Sequence, residues 1–206
     1  MGYDLYGINP QSNTEEPEII QQFSDDKGWA KWDEMTEDDK ERYFKAKDEH
    51  QTENPGEYFR ANVWYWRPIW NFVCEACDDF MTSNDMDAGC SNSGDRISKT
   101  KALRMARRLD KLEKDGFIAR WEEVMLEPYE KAQAHNKIVR QEMKEFQDKM
   151  KEKYGDIAPK DYPKKEYKKW EKIYAKEDWT ASYPPSRKAI LEFSRFCRQS
   201  GGFEIC

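Results

Sequence analysis

Asn62-Val63-Trp64-Tyr65-Trp66-Arg67-Pro68-Ile69-Trp70, continued by Asn71-Phe72-Val73-Cys74-Glu75-Ala76-Cys77-Asp78-Asp79-Phe80, is the stretch around which the chain organises. From Ile69 onward, Ile69, Phe72, Val73, Ala76, Cys77 and Phe80 recur at i, i+3, i+4, i+7, i+8 and i+11, the stripe of an amphipathic helix. Pro68 fits the first turn of that helix, where a missing N–H costs nothing. Ahead of it, Trp64, Tyr65, Trp66 and Arg67 put flat apolar rings beside a planar cation. That composition suits a core, and it equally suits a pocket that stacks on a planar ligand. The residue types leave both uses open.

Upstream, Asn54-Pro55-Gly56 is turn chemistry, and Tyr58-Phe59-Arg60 leads directly into the Trp-rich stretch. Residues 2 to 10 read as a short strand with Tyr3 and Leu5 on one face, closed by a turn at Asn9-Pro10. Downstream, residues 82 to 98 carry Ser, Asn, Asp and Gly at loop density. Ser98 or Thr100 then caps a helix reaching about Lys114, with Ala102, Met105, Ala106, Leu109 and Leu112 inside and Gly116 as its left-handed stop. A last helix follows Ser186 with Ile190, Phe193, Ser194 and Cys197 inward. After Gly201-Gly202, Phe203 to Cys206 can add a strand that pairs with Tyr3 to Ile8.

Two segments differ from this framework. Between Thr14 and Glu53 there are 14 acidic and 6 basic residues, and the apolar ones shrink to islands such as Ile19, Ile20, Phe23, Trp29, Trp32, Tyr43 and Phe44. We read residues 11–54 as an acidic inserted segment with two short helices, the second capped by Thr36 with Asp39 at the capping-box position. Residues 117–180 read as a charged helical hairpin arm: a long helix from Trp121 to Lys153 containing Pro128, a break at Tyr154-Gly155, and a shorter helix from Glu166 to Lys176. Runs of mixed charge like these are expected to face water.

The fold class expected is therefore α+β and α-dominant, one domain of 206 residues. A small sheet from the chain termini packs with amphipathic helices, and two helical insertions decorate it. Only 37% of residues are hydrophobic, so eight Trp, eleven Tyr and ten Phe must supply much of the core. A formal charge of −6 argues against whole-molecule attraction to nucleic acid or anionic membrane, although eight basic residues between Arg96 and Lys114 form a positive face. The Met1-Gly2-Tyr3-Asp4 start lacks a basic region followed by an apolar one, so a cytoplasmic setting is expected. Five cysteines form no framework, and reduced thiols are expected.

Candidate chemistry is sparse. Cys74-Glu75-Ala76-Cys77 is a lone pair with no second pair at zinc-knuckle spacing, so no metal or cofactor is expected. No hydrolase motif stands out, no residue can be named as catalytic, and a non-enzymatic role is expected. Ser91, Asn92, Ser93, Gly94, Asp95 and Arg96 form a polar cradle before a helix start, with Lys99 as a further cation. Combined with Asn62, Trp64, Trp66 and Arg67, they make a candidate ligand site: a base on Trp64 or Trp66, its phosphate near Arg67 or Arg96.

Four blocks carry a family resemblance: Met1 to Pro10, Gly56 to Trp70, Gly94 to Ala102, and Phe193 to Cys206 with its Ser-Gly-Gly-Phe-Glu-Ile-Cys ending. On these the chain resembles a family of small, largely uncharacterised proteins encoded by tailed bacteriophages. The resemblance covers under half the chain and implies a phage origin and a host-cytoplasm setting, not a reaction. Relatives often carry a CxxC-type metal knuckle where this chain has its 117–180 arm, which contains no cysteine. Three functions are expected in order. The first is an accessory protein sequestering a small nucleotide-like host molecule, a possible anti-defence role. The second is a module that blocks a host protein through its charged insertions, and the third is nucleic-acid binding through the Arg96–Lys114 face. A homo-oligomer is compatible with all three.

Overall fold

The computed structural model describes residues 2–26 and 28–206. The fold is α+β and α-dominant: among the described residues, a four-stranded antiparallel sheet with eight α-helices. The elements run β1 (Gly2–Gly7), α1 (Glu18–Gln22), α2 (Glu37–Glu53), β2 (Tyr58–Asn62), α3 (Val63–Ala76), α4 (Ser83–Ala88), β3 (Asp95–Ser98), α5 (Lys99–Lys114), α6 (Phe117–Tyr154), α7 (Lys164–Tyr174), α8 (Arg187–Gln199) and β4 (Gly202–Ile205). Two compact units result. One contains residues 1–117 and 186–206, and the other residues 118–185.

In the first unit the strand order is β2-β1-β4-β3. β1 pairs with β4 through Leu5 opposite Ile205, Tyr6 opposite Glu204 and Gly7 opposite Phe203, so both chain ends enter the sheet as the sequence suggests. The alternation of β1 buries Tyr3 and Leu5 on one face. Two strands differ from the sequence expectation. Tyr58–Asn62, a lead-in by its sequence, is β2, with Phe59 and Ala61 inward; Asp95–Ser98, loop-like by composition, is β3, with only Ile97 buried. A strand of four or five residues with one or two buried positions carries too little period-2 signal to separate from a polar loop.

The helix after the Trp stretch begins earlier than its stripe suggests. Asn62 caps it by accepting from the N–H groups of Trp64 and Tyr65, so α3 starts at Val63 and Pro68 lies inside the helix, not in its first turn. α5 and α8 start where their caps predict. The Ser98 hydroxyl accepts from Lys101 N–H, and the Ser186 hydroxyl accepts from Ala189 N–H. Gly116 closes α5 at φ +71°, and Gly201 and Gly202 turn the chain from α8 into β4 at φ +66° and +95°. A Cβ on Gly201 would lie 2.0 Å from the Asn9 carbonyl oxygen, so only glycine fits that approach. The core between sheet and helices is aromatic: Phe59, Trp66, Trp70, Phe193, Phe196 and Phe203 contact one another edge-on, tilted or stacked.

The acidic segment is folded. Thr36 and Asp39 form the expected capping box, and Ile20, Phe23, Met35 and Tyr43 make a small buried cluster between α1 and α2. Trp29 stays largely in solvent, while the partly exposed Trp32 stacks on Phe44 and meets Tyr43 edge-on. The second unit spans most of the segment set apart in the sequence. α6 continues through Pro128, and Gly155 turns the chain after it at φ +80°. The returning chain is tied to α6 by the buried Asn136, whose amide donates to the Asp178 carbonyl while accepting from Asp178 N–H, at 2.9 and 2.8 Å. Tyr167, Trp170 and Tyr174 stack along α7, and Trp179 meets Tyr174 edge-on. Among the described residues no helix is long and apolar enough to cross a membrane.

Candidate functional site

The Trp-rich helix meets α4 and Gly89, just ahead of the Ser/Asn loop, through buried and part-buried bonds. Trp66 is 0% exposed. It stacks on Trp70 at 5.1 Å and on Tyr3 at 5.4 Å between ring centroids, and Phe193 meets it edge-on at 5.6 Å. Its indole N–H donates to the Gly89 carbonyl at 2.7 Å, and that of Trp70 donates to the Met86 carbonyl at 2.8 Å. Trp66 therefore belongs to the core and offers no face to a ligand, which corrects its place among the candidate stacking residues. A Cβ on Gly89 would sit 2.1 Å from the Trp70 ring, so this glycine lets loop and helix close on each other. Trp64, by contrast, is 40% exposed on the outer side of the same helix, and Tyr65 and Arg67 are exposed as well. Asn62 spends its side-chain oxygen on the helix cap.

The cradle residues satisfy one another. Ser91 and Ser93 hydroxyls lie 2.6 Å apart, and Ser93 donates to the Asp95 carboxylate at 2.8 Å. The Asn92 amide donates to the Gly2 carbonyl at 2.6 Å, and Gly94, at φ +80°, donates its N–H to the Ile205 carbonyl at 2.9 Å. Arg96 stands directly opposite Glu204 across β3 and β4 and pairs with it at 2.7 Å. The position that a ligand phosphate would take against Arg96 is held by a carboxylate of the chain itself. Lys99 is exposed at the start of α5. Nearby, Lys101 pairs with the buried Asp85, which also closes a capping box with Thr82. Burial alone would raise the Asp85 pKa, but hydrogen bonds from Lys101 and Thr82 outweigh it and hold the group below its ordinary value.

Among the described residues neither cysteine chemistry nor metal ligation has a built site. All five cysteines are free thiols, and burial pushes both Cys74 and Cys77 up to about 12, which keeps them protonated and unreactive. Among the described residues no group of three or more His, Cys, Asp and Glu side chains is arranged to hold a metal ion.

Open space lies elsewhere. Along β2 two adjoining depressions of about 640 and 410 Å³ share Phe59, Arg60, Lys188 and Glu192. Pro55 and Tyr58 mark one end; Asn62, Tyr65 and Ser186 mark the other. One wall is β2. Another is the face of α8 that carries Lys188, Glu192 and Arg195 at i, i+4 and i+7, and α2 adds Asp48, Gln51 and Thr52. Of the candidate residues only Asn62 lines this groove. The sequence signal that could have found it is the alternation Tyr58-Phe59-Arg60-Ala61-Asn62, one charged residue between two apolar ones. In the second unit, Lys137, Arg140 and Lys144 line a shallow basic groove along α6.

No family model matches the chain, and no curated protein or solved structure is significantly similar to it.

Proposed function

We propose that this chain is a non-enzymatic protein-interaction module, of phage origin and working in the host cytoplasm, that blocks a host protein through its two inserted segments. One observation carries the reading. Of the fourteen large hydrophobic side chains exposed among the described residues, ten lie within residues 11–54 and 117–180. Trp29, Val124 and Ile138 are each at least 70% exposed, on segments rich in charged residues. Isolated exposed apolar residues are ordinary, but their concentration on two charged segments is the pattern of a surface that meets a partner. The phage setting rests on the resemblance of the terminal and Trp-rich blocks.

Sequestration of a nucleotide-like molecule at Trp64, Arg67 and the Ser91–Arg96 loop has less support, because Trp66 is core and the loop's polar groups are bonded within the chain. Native mass spectrometry on protein purified from infected cells separates the two. A stoichiometric protein partner that is lost in Val124→Glu or Ile138→Glu is the expected result. A nucleotide-like mass on a chain free of protein partners would overturn it and return the site to α3 and its neighbouring loop.

A further inference from the structure

Lys164, Lys165, Lys168, Lys169 and Lys172 fall on one side of α7. At about 100° per residue they share an arc of roughly 140°, and no other residue of the helix lies within it. All five are exposed, whereas the opposite side holds the buried Glu166 with the half-buried Tyr167, Trp170 and Ile173. The rings on that side contact one another, Tyr167 with Trp170 at 5.8 Å and Trp170 with Tyr174 at 5.3 Å between centroids. Lys169 is spent on Glu166 at 2.9 Å. Lys164, Lys165, Lys168 and Lys172 make no ion pair among the described residues, and the flanking carboxylates Asp161 and Glu171 make none with them. The other basic stretch differs: there Arg96, Lys101 and Arg108 are held by Glu204, Asp85 and Asp79.

The placement also runs against the electrostatics of the helix itself. Lys164 and Lys165 occupy the first turn of α7, at the positive end of its dipole, and Pro163 precedes them with no side-chain cap. Glu166, the carboxylate of that turn, is buried and shared by Lys169 and Lys153. Within the chain the two leading lysines meet repulsion, and a bound anion relieves it.

The chemistry of the face selects the anion. Protein interfaces are depleted in lysine and anchored by aromatic side chains or arginine, and this side of α7 has neither. An amphipathic helix enters a lipid surface apolar side first, and here that side is taken up by contacts within the chain. Single-stranded nucleic acid binds by stacking its bases on rings, and Tyr167, Trp170 and Tyr174 lie on the side away from the lysines. Duplex RNA is recognised largely through groove shape and 2′-hydroxyls, for which the face has no hydroxyl or amide side chain. Duplex DNA needs only point charges against its phosphates. From Lys164 to Lys172 the helix rises about 12 Å, a length over which such a duplex presents about seven charges.

We propose that the Lys164, Lys165, Lys168 and Lys172 face of α7 binds the phosphate backbone of duplex DNA without reading its sequence. The face uses other residues than the exposed apolar surface of the inserted segments and does not depend on that reading. The chain's formal charge of −6 confines the attraction to this patch, so the binding is weak and strongly salt-dependent.

Fluorescence anisotropy of a labelled random-sequence DNA duplex of about 24 base pairs, titrated with the full chain at a series of salt concentrations, tests it. Four phosphate contacts predict a slope of log K against log salt of about −3.6, a loss of about 150-fold between about 50 and 200 mM. Lys168→Gln should reduce the slope by about 1 and weaken binding equally for every sequence. Replacing all four lysines by glutamine, itself a good helix former, should abolish binding at a thermal midpoint that is unchanged or higher. Lys111→Gln with Lys114→Gln on α5 should leave binding unchanged. So should Val124→Ser, which removes an exposed apolar side chain, so that failure of this face and failure of the apolar surface read differently. No binding at about 50 mM salt, or a flat salt response, would overturn the proposal. Loss of binding in the α5 variant but not in the α7 one would do the same, as would tighter binding of single-stranded DNA or duplex RNA. Competition by poly-glutamate as effective as that by unlabelled duplex would overturn it in favour of an acidic protein.

Discussion

Trp66→Ala measures how much of the fold rests on the aromatic centre. The side chain is fully buried, and a Trp of that kind removes about 200 Å² from water, worth about 5 kcal/mol at about 25 cal/mol per Å². Alanine recovers only a small part of this, and the Gly89 carbonyl, which now accepts the indole N–H at 2.7 Å, is left unpaired at a cost of about 1–3 kcal/mol. The expected loss is about 5 kcal/mol, the lower end of the total stability of a domain, so the variant should be barely folded or unfolded. Trp66→Phe keeps most of the stacking on Trp70 and Tyr3 but loses the N–H, and should cost about 2 kcal/mol. Trp64→Ala, two residues away on the exposed side of the same helix, should cost under about 1 kcal/mol. Urea unfolding followed by far-UV circular dichroism reads all three. Equal losses at positions 64 and 66, or a Trp66→Ala protein of nearly parental stability, would refute the assignment of Trp66 to the core.

Gly201→Ala should destabilise by more than about 2 kcal/mol, because it combines a left-handed φ with a backbone oxygen 2.0 Å from the new Cβ, whereas Gly155→Ala, with positive φ but open space, should cost about 1 kcal/mol; thermal unfolding distinguishes them. The Asp85 pKa is lowered from its ordinary 3.8, so its stabilisation is complete above that value and is lost as the pH falls through the lower folded value. The stability difference between the parent and Asp85→Asn should accordingly shrink in denaturant titrations run at successively lower pH below about 3.8, and a difference that stays constant would sink the assignment. In native protein a thiol reagent should modify the exposed Cys90 first and reach the buried Cys77 and Cys197 only on unfolding, as mass mapping of labelled peptides would show.

How far the sequence could be read follows from which interactions are local. Asn62, Ser98, Ser186 and the Thr36–Asp39 pair cap helices through bonds spanning two or three residues, so they are visible in the order of residues, as are the stripes of α3, α5 and α8 and the glycines after α5 and α8. The meeting of both chain ends in one sheet was legible because Tyr3, Leu5, Phe203 and Ile205 alternate with polar neighbours at opposite termini. Even within local reach two assignments fail: residues 82–98 read as loop yet contain α4, capped by Thr82, and the start of α3 lies ahead of the place its proline marks. Pro68 pointed to a helix start, and the stronger signal was the asparagine six residues before it.

The candidate site turned on longer-range facts. Trp64 and Trp66 have the same chemistry and nearly the same sequence surroundings; which one is buried is decided by Tyr3 from β1, Phe193 from α8 and the Gly89 carbonyl. The polar loop from Ser91 to Arg96 looks the same on paper whether it waits for an anion or not. Its state depends on Glu204, more than a hundred residues away, and on the Gly2 and Ile205 carbonyls that pairing of the terminal strands brings beside it. β2 and its groove with α8 became visible only with the strand pairing that places them. Local order therefore determined the helices, their ends and the fold class. Burial, pairing and the satisfaction of polar groups were decided by tertiary structure, because each depends on a partner that chain order does not place nearby.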